Sequence, residues 1–125
     1  MTKILVPTAG STFAVDTADY AMQIANAIEA DVLALHVVRV GGSHEAGELA
    51  LECFANAGKQ HDIAVHCAFR EGAVIHQIVE FAEENGVDLI VMGASKGCIV
   101  DQWVSSDVRE NTTIPVLVIP YQIFD

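Results

Sequence analysis

Short apolar segments alternate with longer amphipathic segments along this chain, in the order β-α-β-α-β-α-β-α-β. The segment Val87–Gly93 is apolar almost throughout, which predicts a strand covered on both faces, as in a parallel sheet. Because parallel strands need crossover helices, the alternation predicts a three-layer α/β sandwich with helices on both faces of the sheet. The other predicted strands are Lys3–Val6, Val32–Val38, Ile63–Phe69 and Pro115–Ile119.

The intervening segments have the apolar spacing of helices that bury one stripe against a sheet. The first stripe, Ala14 to Ile28, is rich in alanine, which allows a close approach to the sheet. In the second helix, Leu49 is expected to be buried, and Gly58 is expected near the helix end. Gly86 is expected to cap the third helix in a left-handed conformation, with Val87 as the hydrophobic partner of that cap. The predicted helices are Phe13–Ala30, Glu45–Ala57, Ala73–Asn85 and Asp101–Glu110.

The composition indicates one domain and excludes several classes of partner. A chain of 125 residues suits a single domain, 1–125, that buries its own core. Its formal net charge of −11 repels nucleic acid and anionic membranes, so neither is expected as a partner. No apolar run approaches the length of a membrane span, and the first one is too short for a signal sequence. These features favour a cytoplasmic protein.

The cysteines and histidines are read as structural residues. The cysteines form no CxxC pair, so reduced thiols that act as small buried hydrophobes are expected. No histidine shares a spacing with another ligand that is typical of a metal site, so no metal is predicted. His36 ends a buried strand and is expected to be a hydrogen-bonded core imidazole, whereas His76 and Glu80 are expected to pair on a helix surface. The cysteines are Cys53, Cys67 and Cys98.

The loops after the first and fourth strands form the candidate ligand site. Open α/β sheets bind ligands beyond the carboxyl ends of the strands, where the strand order reverses. The loop after the fourth strand carries Ser95 and Lys96 between Gly93 and Gly97. Lys96 is either a solvated lysine or a contact for a phosphate or carboxylate. Ser11, after the first strand, is either a helix cap or a ligand contact.

The segment Gly93–Gly97 also matches the Gly-x-Ser-x-Gly nucleophile elbow of α/β-hydrolases, and it follows a predicted strand. That fold places its catalytic histidine after the serine in the chain. All five histidines of this chain precede Ser95, so the required order fails. The sequence therefore predicts no catalytic residue and favours a binding protein over an enzyme.

Several sequence features share their order and spacing with one known family. They are Lys3–Pro7 followed by Gly10 and Ser11, Leu35–Val38, Gly72, Ala82–Gly93 and Ile114–Ile119. On these features the chain resembles the universal stress protein family along essentially its whole length. The resemblance implies a flavodoxin-like, Rossmann-like parallel sheet of order 3-2-1-4-5, and dimers formed largely through the last strand.

The resemblance also implies a nucleotide site, from which this chain departs at two points. ATP-binding members have an Asp two residues after the strand-1 proline, where this chain has Ala9. Their loop after strand 4 has spaced glycines and a Gly-Ser/Thr, whose backbone amides surround the phosphates. Here that loop is shorter, with Gln102 and Trp103 at the Gly-Ser/Thr position. The implied nucleotide contacts are Pro7, Thr8, Ala9, Gly10, Ser11, Val37, Met92, Gly93, Ser95, Lys96 and Gly97.

Two hypotheses follow from these features. The first is a cytoplasmic, dimeric binding or regulatory module with weak or no ATP binding and no required cofactor. The alternative is a stress protein that binds ATP or another adenine nucleotide with the loops after strands 1 and 4. Dimerisation also has a physical reason, because an apolar strand at the end of the strand order exposes its edge unless another chain covers it. The residues of this predicted interface are Val116, Leu117, Val118 and Ile119.

Overall fold

The computed structural model of the chain describes residues 2–8, 14–38, 40–42, 44–93 and 107–119. Strands and helices alternate in these segments as the sequence predicts, and residues 107–111 add a short helical stretch before the last strand. Within the described segments, no helix has the length and apolar character needed to cross a membrane. The elements are β1 (Thr2–Pro7), α1 (Ala14–Ile28), β2 (Ala30–Val38), α2 (Glu45–His61), β3 (Val65–Glu71), α3 (Val74–Glu84), β4 (Leu89–Gly93) and β5 (Val116–Ile119).

The five strands form one parallel sheet of order β3-β2-β1-β4-β5, which confirms the predicted architecture. β1 lies at the centre, where Leu5 pairs with Leu33 of β2 on one side and with Ile90 of β4 on the other. β3 and β5 are the two outer strands. The polar interruptions in β3, including His66, fit this edge position.

Alternate side chains of the strands enter two hydrophobic cores, one on each face of the sheet. On one face Ile4 and Val6 pack beneath α1 and α2. On the other face Leu5 packs beneath α3 and Val108 of the short helical stretch. Burying a large apolar side chain completely stabilises the folded state by about 1.5–3 kcal/mol relative to leaving the side chain exposed. The fully buried large side chains include Met22, Leu35, Phe54, Ile78, Ile90 and Ile119.

The end of α1 and the start of β2 differ from the prediction. The helix ends at Ile28 and not at Ala30, because Glu29 adopts a left-handed conformation with a φ of 55°. Ala30 is instead the first residue of β2 and is buried. Ile28 is 43% exposed, so the predicted buried stripe of α1 stops one turn earlier, at Ala25.

α2 is longer than predicted, and its buried stripe includes Ala50 and Phe54 but not Leu49. Gly58 lies inside the helix, where a Cβ would be 2.4 Å from Cγ2 of Val65, so its role is a close approach to β3. The left-handed residue that ends the helix is Asp62, with a φ of 56°. Leu49 is 62% exposed, and Leu51 occupies the buried position in its place. The prediction that Leu49 is buried is therefore wrong.

The end of α3 confirms the predicted glycine cap. Gly86 has a φ of +61°, and its N–H donates to the carbonyl of Glu83 over 3.3 Å. The N–H of Val87 donates to the carbonyl of Ala82 over 3.1 Å, and the Val87 side chain is buried. These two bonds are the pattern of a Schellman motif. Because Val87 completes this cap, β4 begins later than predicted, at Leu89.

Candidate functional site

The strand order reverses between β1 and β4. From β1 the chain builds β2 and β3 on one side, and then crosses to the other side to form β4 and β5. α1, which follows β1, and the helical stretch at Val108, which follows β4, lie on opposite faces of the sheet. At such a reversal a ligand crevice is expected above the carboxyl ends of the two strands. This is the place that the sequence predicts for a ligand, and we call it the carboxyl edge of the sheet.

Three apolar residues of the predicted site lie on one face at this edge. Pro7 follows Leu5 by two residues and Met92 follows Ile90 by two, and Leu5 pairs with Ile90. Pro7 and Met92 thus lie level on neighbouring strands, on the face that packs beneath α3. Val37 lies on the same face of β2, beyond the partner of Pro7. Pro7 and Val37 are half-buried and Met92 is buried, so together they form an apolar floor.

The structure brings together the predicted site residues that it describes. Pro7, Thr8, Val37, Met92 and Gly93 all lie at the carboxyl ends of β1, β2 and β4. The other predicted contacts lie outside the described residues and stay predictions. They are Ala9, Gly10, Ser11, Ser95, Lys96 and Gly97.

Thr8, the first residue after β1, is fixed to β2 through its backbone. Its N–H donates to the carbonyl of Leu35 over 2.8 Å. Its carbonyl lies 2.7 Å from Nδ1 of His36. A carbonyl oxygen only accepts, so Nδ1 carries the proton and donates. His36 is 6% exposed, and the predicted role of a hydrogen-bonded core imidazole is confirmed.

The position of His36 depends on two residues that the sequence analysis did not single out. Gly47 of α2 lies against the imidazole, and a Cβ at that position would be 1.9 Å from Cδ2 of His36. Phe69 of β3 meets the imidazole edge-on, with ring centroids 5.7 Å apart and an interplanar angle of 87°. A glycine inside a predicted helix is a signal of close packing, and this signal could have marked Gly47.

The start of α3 places a partial positive charge at the carboxyl edge, close in sequence to the exposed carboxylate of Glu71 that ends β3. α3 begins at this edge, and its N-cap residue, Ala73, makes no side-chain capping bond. The first turn of α3 contains no acidic residue, so its partial positive charge is not neutralised within the helix. The lysine of β1 lies at the opposite edge, where Nζ of Lys3 donates to the carbonyl of Asn85 over 3.1 Å. Lys96 lies outside the described residues.

Cys67 of β3 and the histidine pair of α3 show how two further sequence predictions turned out. Cys67 is exposed on β3, so the prediction of buried cysteines is wrong there. Its Sγ nevertheless lies 3.6 Å from the carbonyl of Leu51, and this partial burial raises the pKa of the thiol. His76 and Glu80 form the predicted pair at 2.8 Å. Among the residues that the structure describes, no three His, Cys, Asp or Glu side chains cluster as metal ligands.

The fold defines a class: a parallel α/β sandwich whose strand order reverses between β1 and β4. Comparison with known proteins gives the family. The model of the universal stress protein family matches residues 1–120, and the chain belongs to this family. Universal stress protein MJ0531 of Methanocaldococcus jannaschii is 32% identical over 137 residues, which cover 94% of this chain and 81% of that protein.

Solved structures of the same family share the fold. A universal stress protein in complex with cAMP superposes with a TM-score of 0.78 at 23% identity, covering 95% of this chain and 96% of the other. The universal stress protein from Archaeoglobus fulgidus in complex with dAMP superposes with a TM-score of 0.77 at 20% identity, covering 95% and 98%. At these identities the likeness establishes the fold alone.

Proposed function

We propose that this protein is a non-catalytic regulatory module that binds the adenosine part of an adenine nucleotide at the carboxyl edge of its sheet. The preferred ligand is a nucleotide with one phosphate, and ATP binds more weakly. The observation that carries this proposal is the apolar floor formed by Pro7, Val37 and Met92 on three neighbouring strands. An apolar surface beside ordered backbone groups suits a planar base, because the base is recognised by contact and by a few fixed polar groups.

Two further observations support an adenine mononucleotide. The backbone of Thr8 is held by Leu35 and His36, so the first residue of the loop after β1 is already ordered before a ligand arrives. Two solved structures with this fold are complexes with cAMP and with dAMP, which are adenine nucleotides with a single phosphate.

The sequence departures argue against a tightly bound triphosphate. Ala9 stands where ATP-binding relatives have a carboxylate, and Gln102 and Trp103 stand at the Gly-Ser/Thr position of their loop. The net charge of −11 adds repulsion that grows with each phosphate of the ligand. A single phosphate needs fewer donors than a triphosphate, and the first turn of α3, which begins at the carboxyl edge, contains no acidic residue.

Isothermal titration calorimetry with cAMP, AMP, dAMP and ATP tests this proposal. We expect the three mononucleotides to bind at least about tenfold more tightly than ATP, which corresponds to about 1.4 kcal/mol. The variant Val37→Trp fills the apolar floor and should abolish binding. Ile28→Trp, at the opposite edge, is the matched control and should leave binding unchanged. ATP binding tighter than the mononucleotides, or full binding by Val37→Trp, would refute the proposal.

We further propose that the protein forms a homodimer through β5. β5 is an outer strand of the sheet and pairs with β4 alone among the described strands. Leu117 is 41% exposed, and Val116 and Val118 are only half-buried, so the strand presents an apolar edge. A second copy paired along this edge would cover the apolar side chains and satisfy the backbone groups.

A further inference from the structure

The sheet also ends at β3, where no strand pairs with the outer edge within the segments that the structure describes. The carbonyl of Ala64 accepts a hydrogen bond from Val32 of β2. In a strand, the N–H and C=O of one residue point to the same side, and the side alternates from residue to residue. The residues that direct both groups outward are therefore the odd-numbered ones: Val65, Cys67, Phe69 and Glu71.

A groove of about 320 Å³ lies beside this edge, between α2 and β3. Its lining includes Cys67 and Phe69, two residues whose backbone groups are directed outward. β3 contributes Cys67, Ala68 and Phe69, of which Phe69 is 39% exposed. The wall formed by α2 is a single helical stripe, with two carboxylates on an otherwise apolar surface. The stripe consists of Glu48, Leu51, Glu52 and Ala55.

The groove carries negative charge, and none of the lining residues that the structure describes is a cation. Glu48 and Glu52 are both exposed, and neither belongs to an ion pair in the described part of the chain. The arginine of β3 is directed elsewhere, since Nη2 of Arg70 lies 2.7 Å from Glu84 and its guanidinium lies 5.1 Å from the centre of the Phe81 ring. A cationic occupant is therefore electrostatically favoured.

We propose that this groove binds an extended, basic peptide segment of a partner protein, which adds to the sheet as a strand along β3. Main-chain hydrogen bonds to the outward groups of Val65, Cys67 and Phe69 would hold the segment in place. Glu48 and Glu52 are four residues apart on α2, a spacing of about 6 Å along the helix. Alternate residues of a strand are about 6 to 7 Å apart. Two lysines or arginines separated by one residue thus match the two carboxylates.

A second copy of this chain is a poor occupant of the same groove. Pairing two β3 edges would bring together two sets of Glu48 and Glu52, with the net charge of −11 on each chain opposing the approach. A basic segment instead places its aliphatic stems on Leu51 and Ala55 while its charged ends reach the carboxylates. The proposal does not depend on nucleotide binding at the carboxyl edge.

Fluorescence anisotropy with short labelled peptides tests the proposal. The probe contains two lysines separated by one residue, with valine and threonine elsewhere, and the matched peptide has glutamates in place of the lysines. We expect only the lysine peptide to bind at low salt, and to bind more weakly as salt rises. A third peptide keeps the lysines but is N-methylated at alternate backbone positions. It should not bind, because it cannot form the strand hydrogen bonds.

Charge reversal in the protein provides the matched variants. The double variant Glu48→Lys, Glu52→Lys should lose at least about tenfold in affinity for the lysine peptide and gain affinity for the glutamate peptide. The double variant Glu83→Lys, Glu110→Lys changes the net charge by the same amount, at exposed positions on the opposite side of the sheet from α2. It should keep the wild-type preference for the lysine peptide. Hydrogen exchange should show new protection at the amides of Val65, Cys67 and Phe69.

Three results would overturn the proposal. The first is equal binding of the N-methylated and unmodified lysine peptides, which would reduce the effect to charge alone. The second is an unchanged lysine preference in the Glu48→Lys, Glu52→Lys variant. The third is protection of the β3 amides that rises with protein concentration and not with peptide, which would assign the edge to a second copy of the chain.

Discussion

Nδ1 of His36 donates a hydrogen bond of 2.7 Å to the carbonyl of Thr8, and this bond joins the buried core to the candidate ligand site. His36 belongs to β2, whereas Thr8 is the first residue of the loop that leaves β1. The imidazole is in turn confined by Gly47 and Phe69. The packing between α2 and the sheet therefore determines where the loop after β1 begins.

Replacing His36 by Phe removes this hydrogen bond and keeps a ring of similar size. The carbonyl of Thr8 loses its partner, so we expect the free energy of unfolding to fall by about 1–3 kcal/mol. Affinity for adenine mononucleotides should fall as well, since the loop is no longer held. His76→Phe is the control, because His76 forms only a surface pair and its loss should cost less than about 0.5 kcal/mol. Urea unfolding measures the free energy of unfolding, and calorimetry measures the affinity for mononucleotides. Equal effects of His36→Phe and His76→Phe would contradict the role of His36 in holding Thr8.

Gly47→Ala is expected to destabilise the fold although alanine favours helices by about 1 kcal/mol over glycine. The new Cβ would lie 1.9 Å from Cδ2 of His36, so the helix or the imidazole must move. We expect a net loss of at least about 1–3 kcal/mol from this overpacking. Gly41→Ala is the comparison for backbone strain without crowding. Gly41 has a φ of +82°, which strains alanine, but nothing lies within 4 Å of the added Cβ. A Gly47→Ala protein as stable as the wild type in urea would show that α2 lies further from β2.

Cys67 is expected to react slowly with alkylating reagents in the folded protein. Burial of its sulfur raises the thiol pKa above the ordinary value of 9.0, so the thiolate fraction at a given pH is reduced. The neutral thiol is favoured on folding, so its contribution to stability is present below the unfolded pKa and is lost as the pH rises through the folded pKa. Iodoacetamide rates against pH, measured with Cys53 and Cys98 replaced by Ser, should give a higher midpoint in the folded than in the urea-unfolded protein. A lower pH midpoint in the folded protein than in the unfolded protein would contradict the inference that burial raises the pKa of Cys67.

Leu117→Lys is expected to convert the proposed dimer into a monomer. The substitution places a charge on the apolar edge of β5, where Leu117 is 41% exposed and pairing with a second copy would bury it. Leu49→Lys adds the same charge at a more exposed position of α2 and should leave the dimer intact. Sedimentation velocity at micromolar concentration distinguishes the outcomes. A wild-type monomer, or a Leu117→Lys dimer, would refute the proposed interface.

The architecture was largely predictable because it depends on patterns that the chain itself carries. The alternation of segments predicts a parallel sheet, and the order 3-2-1-4-5 followed from the resemblance to universal stress proteins. The cap at Gly86 was predictable since a left-handed residue and its hydrophobic neighbour leave a local signature. The edge position of β3 was indicated by its polar interruptions.

The details that depend on contacts between distant segments were not predictable in the same way. Leu49 and Leu51 of α2 fit two helical stripes of similar apolar content, and only the approach of the helix to the sheet decides between them. The bond between His36 and Thr8 joins residues 28 positions apart, and no local pattern encodes it. Gly47 was visible as an unusual helical glycine, but its partner was not.

Methyl and amide NMR during a titration with AMP tests the central claim most directly, because it reports where the nucleotide binds. We expect the largest chemical-shift changes at the methyl groups of Val37 and Met92 and at the amide of Thr8, with saturation as AMP is added. Shifts confined to the β3–α2 groove, or no shifts at Val37 and Met92 at saturating AMP, would contradict nucleotide binding at the carboxyl edge of the sheet.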